Sequence, residues 1–178
     1  MLVIRRASEA DIPTIRALAE QIWRAYYPGI ISPEQIDYML GWMYSREAIC
    51  RELAAGVVYE LACLAGEPVG FLAHEFEPAT RQTKLHKIYL QPALHGRGLG
   101  RAMLEKVLDS AHAAGAAVVY LQVNKQNLRA IRAYERAGFR ITQAICGDIG
   151  GGFVMDDYVM VREVPPHANA ACDAAAPR

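Results

Sequence analysis

Three alternate glycines stand between an extended apolar run and a helical pattern, and they constrain this chain more than any other segment. The segment reads His95-Gly96-Arg97-Gly98-Leu99-Gly100-Arg101. Glycines at this spacing let the backbone approach a ligand and turn several N–H groups towards one point. The helix that follows adds the positive end of its dipole at the same place. The segment predicts an anion-binding turn for phosphate or pyrophosphate, with a merely flexible loop as the alternative reading of the glycines alone.

Two other phosphate-binding turns do not match this segment. A P-loop ends in Gly-Lys followed by Ser or Thr, whereas Gly100 is followed by Arg101 and Ala102. A dinucleotide-binding turn needs a third glycine where Arg101 stands. It also needs an acidic residue at the end of the next strand, where the sequence has Gln122-Val123-Asn124. Both alternatives are therefore excluded.

The hydrophobic periodicity divides the rest of the chain into helices and strands. Helical spacing is found at about 8–27, 32–43, 45–55, 98–114 and 127–137. Extended runs cover about 2–6, 57–64, 69–76, 85–90, 118–123, 139–146 and 153–161. This order predicts one mixed α/β domain with a central sheet over residues 1–164. The proline- and alanine-rich segment 165–178 is expected to be a disordered tail.

Composition argues against several kinds of partner. The 178 residues carry 19 basic and 19 acidic side chains, so there is no overall electrostatic attraction to nucleic acid or membrane, and neither is expected as a partner. The four cysteines are scattered without a CxxC pair, which argues against a zinc site and a disulfide framework. Cys63 and Cys146 lie in apolar runs and are expected to be core residues. No apolar run nears the ~20 residues of a membrane span and the N-terminus lacks an apolar signal core, so a cytoplasmic location is expected.

Two separated motifs resemble those of the GNAT N-acetyltransferases. Leu90-Gln91-Pro92 followed by His95-x-x-Gly98-x-Gly100 is similar to the family's Gln/Arg-x-x-Gly-x-Gly/Ala motif, with His95 as the one departure. After Leu121-Gln122-Val123, the pattern Asn127-x-x-Ala130-x-x-x-Tyr134-Glu135-x-x-Gly138-Phe139 also resembles the family. The resemblance covers at least residues 84–139. It implies a GNAT fold of the α/β (α+β) class, with a mixed, mostly antiparallel twisted sheet of about seven strands flanked by helices.

The resemblance implies acetyl-CoA as the cofactor and assigns residues to it. The main chain of residues 88–90 would hold the pantetheine arm like an added strand. The backbone N–H near Leu90 would stabilise the oxyanion of the acetyl group. Asn127 suits a helix N-cap, and spacing alone favours a core position for Tyr134, whereas the resemblance makes Tyr134 the acid at the departing thiolate. The implied cofactor-binding residues are Ile88, Tyr89, Leu90, His95, Gly96, Arg97, Gly98, Leu99, Gly100, Arg101, Asn127, Ala130 and Tyr134.

The attacking amine needs a base or a desolvating pocket, because an ordinary amine is protonated at neutral pH. His86 is the candidate base, and strand alternation places it on the same face as Ile88 and Leu90. A structurally satisfied histidine is an equally good reading of His86. His74 and Glu75 on the preceding strand are weaker candidates.

The region before the sheet is rich in aromatic residues that could hold a cationic amine. They are Trp23, Tyr26, Tyr27, Tyr38, Trp42 and Tyr44, with Glu34 and Asp37 nearby. Residues 22–32 are similar to the same region of bacterial polyamine-acetyltransferase-like GNAT proteins. The sequence thus predicts direct acetyl transfer from acetyl-CoA to a primary amine, a small molecule or a polyamine, with no metal. The alternatives are a non-catalytic acyl-CoA sensor and an acetyltransferase of protein N-termini or lysines. A homodimer is expected by analogy with the family alone.

Overall fold

The elements follow the order that the periodicity predicts. The computed structural model describes residues 1–165, so the predicted tail lies outside the described residues apart from Pro165. The helices are α1 (Ile12–Tyr26), α2 (Pro33–Met43), α3 (Arg46–Ala54), α4 (Leu99–Ala113) and α5 (Leu128–Arg136), with short 3₁₀ turns at Glu9–Asp11 and Pro92–Leu94. The strands are β1 (Leu2–Arg6), β2 (Val58–Leu64), β3 (Glu67–Glu77), β4 (Gln82–Leu90), β5 (Val118–Asn124), β6 (Arg140–Gly150) and β7 (Phe153–Glu163).

The seven strands form one sheet in the order β1-β2-β3-β4-β5-β7-β6. Every neighbouring pair is antiparallel except β4 and β5, which are parallel. Helix α4 makes the crossover that a parallel pair requires. This architecture confirms the predicted fold, a mixed and mostly antiparallel sheet of seven strands flanked by helices.

Each face of the sheet buries its own apolar cluster. Helices α1 and α2 cover β2, β3 and the end of β4 on one face, where Trp23, Tyr59 and Phe71 are buried. Helix α4 covers the other face, where Met103, Val107 and Leu121 have no or almost no exposed surface. Burial of these two apolar faces is the main term that stabilises the fold.

A β-bulge in the pairing of β3 with β4 lies at the point where β4 and β5 separate. Ala73 on β3 pairs with Lys87, but the next residue of β3 pairs with Leu85, so His86 is the extra residue. On its other side, β4 pairs with β5 only from Gln82 to Leu85. Strand β5 continues to Asn124 against β7 instead. The two strands therefore diverge beyond Leu85, and an open wedge remains between them.

Two expectations about the cysteines have different outcomes. Cys63 is buried in β2, as predicted, whereas Cys146 is exposed. The prediction of a core position for Cys146 is wrong because β6 is an edge strand and is largely exposed along its length.

Among residues 1–165, no cluster of His, Cys, Asp or Glu could hold a metal ion. No helix in this part of the chain is long and apolar enough to cross a membrane.

Candidate active site

A cleft of about 1190 Å³ occupies the wedge between β4 and β5. It runs from the glycine-rich turn at the start of α4, past β4 and α5, to α2 and β7. Most of the predicted cofactor residues line it: Ile88, Tyr89, Leu90, His95, Gly96, Gly98, Gly100, Arg101, Asn127, Ala130 and Tyr134. Arg97 and Leu99 do not line it, since Arg97 is exposed and Leu99 packs towards the core beneath α4. Leu99 can therefore contribute main-chain groups only.

The glycine-rich turn has the geometry of an anion site. Gly96 and Gly98 have φ values of +82° and +78°, the left-handed region that glycine adopts without strain. A Cβ atom on either glycine would meet no atom within 4 Å, so the backbone is open to a ligand. The first intrahelical hydrogen bond runs from Ala102 N–H to the Gly98 carbonyl, 3.1 Å away. The N–H groups of residues 99–101 therefore lack intrahelical acceptors and lie at the positive end of α4.

His95 ties this turn to the end of β4. Its Nε2 lies 2.9 Å from the carbonyl oxygen of Leu90. A carbonyl can only accept, so Nε2 carries the proton. The rings of His95 and Tyr26 also form an edge-to-face contact, with their centroids 5.6 Å apart. This contact gives His95 a structural role at the position where it departs from the family motif.

The second half of β4 has a free edge in the cleft. From Lys87 to Leu90 the strand pairs with β3 on one side and has no paired strand on the β5 side. Main-chain N–H and C=O groups on that side are available to a ligand that lies alongside them like a further strand. This free edge is where the resemblance places the pantetheine arm, and that role of residues 88–90 stays a prediction.

Asn127 and Tyr134 stand two turns apart on α5, facing the cleft. The Oδ1 of Asn127 caps the helix by accepting from Ala130 N–H at 3.2 Å, and it also accepts from the Tyr26 hydroxyl at 2.7 Å. Tyr134 is half-buried, and its ring packs on Phe139 at 5.8 Å. Burial, followed by the nearby Tyr26, raises the pKa of Tyr134 above the ordinary phenol value. Tyr134 is therefore a neutral hydroxyl donor at physiological pH.

His86 lies on the opposite face from the one predicted. Leu85, Ile88 and Leu90 all pack on the α4 side of the sheet, although alternation would separate Leu85 from the other two. The bulge at His86 explains this, because it resets the alternation. His86 points to the other face, where its Nε2 lies 3.1 Å from Glu75 Oε2.

The pair formed by His86 and Glu75 has a defined tautomer. Because a carboxylate accepts, Nε2–H donates to Glu75 and the Nδ1 lone pair stays available. Burial, and then the neighbouring Lys84, lower the pKa of His86. His74 does not line the cleft. It lies 3.2 Å from Glu60, which also approaches Lys106 of α4, on the far side of the sheet.

The predicted aromatic residues divide between core and rim. Trp23 and Tyr44 are 2% exposed and belong to the core. Trp23 stacks on Tyr27 with ring centroids 4.3 Å apart. Trp42 is 48% exposed at the mouth of the cleft. The predicted carboxylates do not line the cleft: Glu34 is exposed, and Asp37 pairs with Arg24 at 2.7 Å.

Sequence reasoning missed two charged groups that line the cleft. Lys87 is buried, with its Nζ 2.7 and 2.5 Å from the two carboxylate oxygens of Glu52, and burial lowers its pKa. Asp157 is 4% exposed and lines the cleft. Burial, followed by the charge of Asp156, raises the pKa of Asp157 to about 6. A charged residue inside the apolar run 153–161 was the available signal for Asp157.

Comparison with known proteins identifies the family. Residues 16–139 match the model of the acetyltransferase (GNAT) family. The chain belongs to the GNAT family. The GNAT protein is 43% identical over 84 residues to a Mycobacterium bovis protein named as an uncharacterized N-acetyltransferase, a match that covers 47% of this chain and 53% of the relative. It is 24% identical over 158 residues to the spermidine N(1)-acetyltransferase of Thermoplasma acidophilum, over 86% of this chain and 94% of that protein.

A solved structure shares the fold of this GNAT protein. The PaiA N-acetyltransferase of T. acidophilum in complex with coenzyme A superposes with a TM-score of 0.76 at 23% identity. The superposition covers 92% of this chain and 99% of that one. The chain spans about half the length of the first mycobacterial relatives that it matches. These comparisons establish the family and the fold.

Proposed function

We propose that this GNAT protein transfers an acetyl group from acetyl-CoA to a primary amine of a small molecule. The observation that carries the proposal is the wedge between β4 and β5, which joins an anion-binding turn to the free edge of β4 and to Tyr134. Transfer is by direct attack of the amine on the acetyl carbon. No covalent enzyme intermediate is needed, and no cysteine of residues 1–165 lines the cleft.

The cofactor fits the groups that line the cleft. Its pyrophosphate is held by the N–H groups at the start of α4, because these point at one place and lie at the positive helix end. The main chain of residues 88–90 would hold the pantetheine arm through hydrogen bonds. The N–H near Leu90 stabilises negative charge on the acetyl oxygen as the amine adds. The chemistry that acetyl-CoA supplies is a thioester, whose thiolate is a good leaving group.

The amine loses one proton during the reaction, and His86 is the proposed acceptor of it. Keeping an amine with a pKa of ~10.4 neutral at pH 7 costs about 4 to 5 kcal/mol. The free Nδ1 of His86, oriented by Glu75, is suited to take that proton. Tyr134 donates a hydrogen bond to the departing sulfur. Its raised pKa disfavours complete proton transfer to a thiolate of pKa ~8.5, so the bond itself supplies the stabilisation.

Other acceptors and a non-catalytic role form the alternatives. A polyamine acceptor is supported by the similarity to spermidine N(1)-acetyltransferase and by the aromatic residues of α1 and α2. An acyl-CoA sensor would need the cofactor turn alone, and the position of Tyr134 in the cleft favours turnover over this role. Acetylation of protein N-termini or lysines, a homodimer and a cytoplasmic location stay predictions.

The experiment that tests the proposal couples calorimetric titration with acetyl-CoA to a thiol-release assay on a panel of amines including spermidine. Tyr134→Phe should lower kcat by about 10²-fold, because the thiolate then leaves without a hydrogen bond. Its Kd for acetyl-CoA should stay close to that of the wild type. Tyr158→Phe is the matched control, since Tyr158 does not line the cleft and the variant should keep full activity.

The outcomes separate the alternatives. Binding of acetyl-CoA without thiol release for any amine would favour the sensor. Absence of binding would contradict the cofactor assignment and with it the whole proposal.

A further inference from the structure

Asp157 occupies a buried position at the end of the cleft beside α2 and β7, called the acceptor end because the amine is proposed to bind there. It lies on β7 between Asn124 of β5 and Ile145 of β6. Met160, three residues along β7, is buried on the α4 side of the sheet, so alternation places Asp157 on the opposite face. This is the face that carries α1, α2 and His86. The side chain is 4% exposed and lines the cleft.

The carboxylate of Asp157 has no hydrogen bond or ion pair within residues 1–165. Three other carboxylates differ in this respect. Its neighbour Asp156 pairs with Lys125, and Glu52 binds Lys87 through both oxygens. Glu75 is engaged by His86. Asp157 is thus the one buried acid in the described part of the cleft that lacks a partner.

An unpaired buried carboxylate is unfavourable unless a cation arrives to pair with it. The raised pKa of Asp157, about 6, reflects this cost, and the group is still ionised at neutral pH. The charge of Lys125 lowers the pKa of Asp157, but Lys125 forms its ion pair with Asp156, and no basic side chain of the described residues forms one with Asp157. A ligand cation is therefore the partner that the position fits.

The surroundings of Asp157 indicate what kind of cation the cleft accepts. The remaining acceptor end is mostly apolar, and its apolar lining residues on α2, β7 and the loop between α1 and α2 are Ile31, Met39, Trp42, Met43 and Met155. Gln35 of α2 also lines it, with its side-chain amide donating to the Val154 carbonyl. Among the described residues that line the cleft on this face of the sheet, no second carboxylate is both buried and without a partner. A ligand with one ammonium group and an apolar body matches this arrangement better than a polyamine.

We propose that Asp157 binds the ammonium group of the acceptor and makes the cleft selective for monoamines with an apolar body. This inference rests on the proposed acetyltransferase function and names its substrate class. Asp157 is a substrate-binding residue in it. The proton that the amine loses before attack goes to His86, as in the proposed mechanism.

The test compares Asp157→Asn with Asp156→Asn, which removes the neighbouring exposed carboxylate. Each variant is assayed with the best monoamine of the panel and with the O-alkylhydroxylamine of the same shape, which is neutral at pH 7. Asp157→Asn should raise the KM for the amine by roughly 10- to 100-fold, the value of one charge-assisted hydrogen bond. The KM for the neutral acceptor and the Kd for acetyl-CoA should not change. His86→Gln should instead lower kcat, and Asp156→Asn should behave as the wild type.

Four outcomes would overturn this inference. An unchanged KM for the amine, or an equal rise for both acceptors, would show that Asp157 does not recognise charge. A higher kcat/KM for spermidine than for every monoamine would contradict the substrate class. A wild-type protein that binds acetyl-CoA but acetylates no amine would contradict the proposed function as well, which distinguishes the two failures.

Discussion

Single residues of the cleft carry a cost in stability, and Asp157 is the clearest case. The pKa of its carboxyl is about 6 in the folded protein against an ordinary value of 3.8. A raised carboxyl pKa means that the folded state is most stable, relative to the unfolded state, when the group is protonated in both. This holds at pH values below the ordinary pKa. This stability is lost as the pH rises from about 4 through 6, and at 1.36 kcal/mol per pKa unit the loss is roughly 3 kcal/mol.

Asp157→Asn should therefore stabilise the fold, and more so at high pH. We expect its free energy of unfolding to exceed that of the wild type by about 2 to 3 kcal/mol at pH 8, with little difference near pH 4. Urea unfolding at the two pH values measures this. Asp156→Asn, which removes a half-exposed, paired carboxylate and with it only the smaller cause of the raised pKa of Asp157, should show a smaller gain. An equal effect of Asp157→Asn at both pH values would contradict an ionised, unpaired Asp157.

At the residue scale, the sequence predicted main-chain positions better than side-chain directions. The glycines at 96 and 98 follow from local chemistry, since left-handed residues at a helix start require glycine. The face of His86 could not be predicted, because a bulge depends on how β3 and β4 align and leaves no trace in the spacing. The missing partner of Asp157 is likewise a property of three neighbouring strands. Such facts arise from register, which one sequence does not reveal.

At the scale of elements, the end of β4 depends on a close approach by β3. A Cβ atom on Gly70 would lie 2.4 Å from the carbonyl oxygen of Tyr89, well inside contact distance. Gly70→Ala should therefore push away the part of β4 that is proposed to hold the pantetheine arm. We expect a loss of about 1 to 3 kcal/mol in stability and a higher KM for acetyl-CoA. Thermal unfolding and the thiol-release assay measure the two effects.

A matched variant separates the close approach from the general effect of alanine. Gly41 lies on α2, and a Cβ atom there would meet nothing within 4 Å. Gly41→Ala should stabilise the protein by roughly 0.5 to 1 kcal/mol, the usual gain for a helix interior. Normal stability and KM in Gly70→Ala would show that β4 tolerates displacement and would weaken the role given to its edge.

Most elements of the fold could be predicted because their signals are local. Capping by Ser8 and Asp11 is one example, since the Ser8 N–H donates to the Asp11 carboxylate at 2.9 Å. Phe139 after Gly138 is another, with its N–H bonded to the Tyr134 carbonyl at the end of α5. The apolar run predicts a start of β4 at 85, three residues after its actual start at Gln82. Its first residues are polar or partly exposed, so the apolar run understates the strand.

At the scale of the whole molecule, the sheet consists of two parts joined by a short parallel contact. Strands β1–β4 and β5–β7 meet through four residue pairs, Gln82 to Leu85 with Val118 to Leu121. Beyond these pairs, a few side-chain hydrogen bonds connect β5–β7 to the helices that pack on β1–β4. One runs from the side-chain amide of Gln35 on α2 to the Val154 carbonyl of β7, 2.8 Å away. The comparison with the GNAT family confirmed the predicted fold, but the width of the wedge follows from the bulge and lay beyond sequence reasoning.

Acetyl-CoA bound in the wedge should reinforce the contact between the two parts. At 100 times its Kd a ligand adds about 2.7 kcal/mol to the free energy of unfolding. We expect amide hydrogen exchange to slow at residues 88–90 and at 99–101, the two main-chain sites proposed to hold the cofactor. Adenosine 3′,5′-bisphosphate, which lacks the pantetheine arm, should leave exchange at 88–90 unchanged. If acetyl-CoA binds and exchange at residues 88–90 does not slow, the arm does not lie along β4, and the oxyanion role proposed for the N–H near Leu90 fails with it.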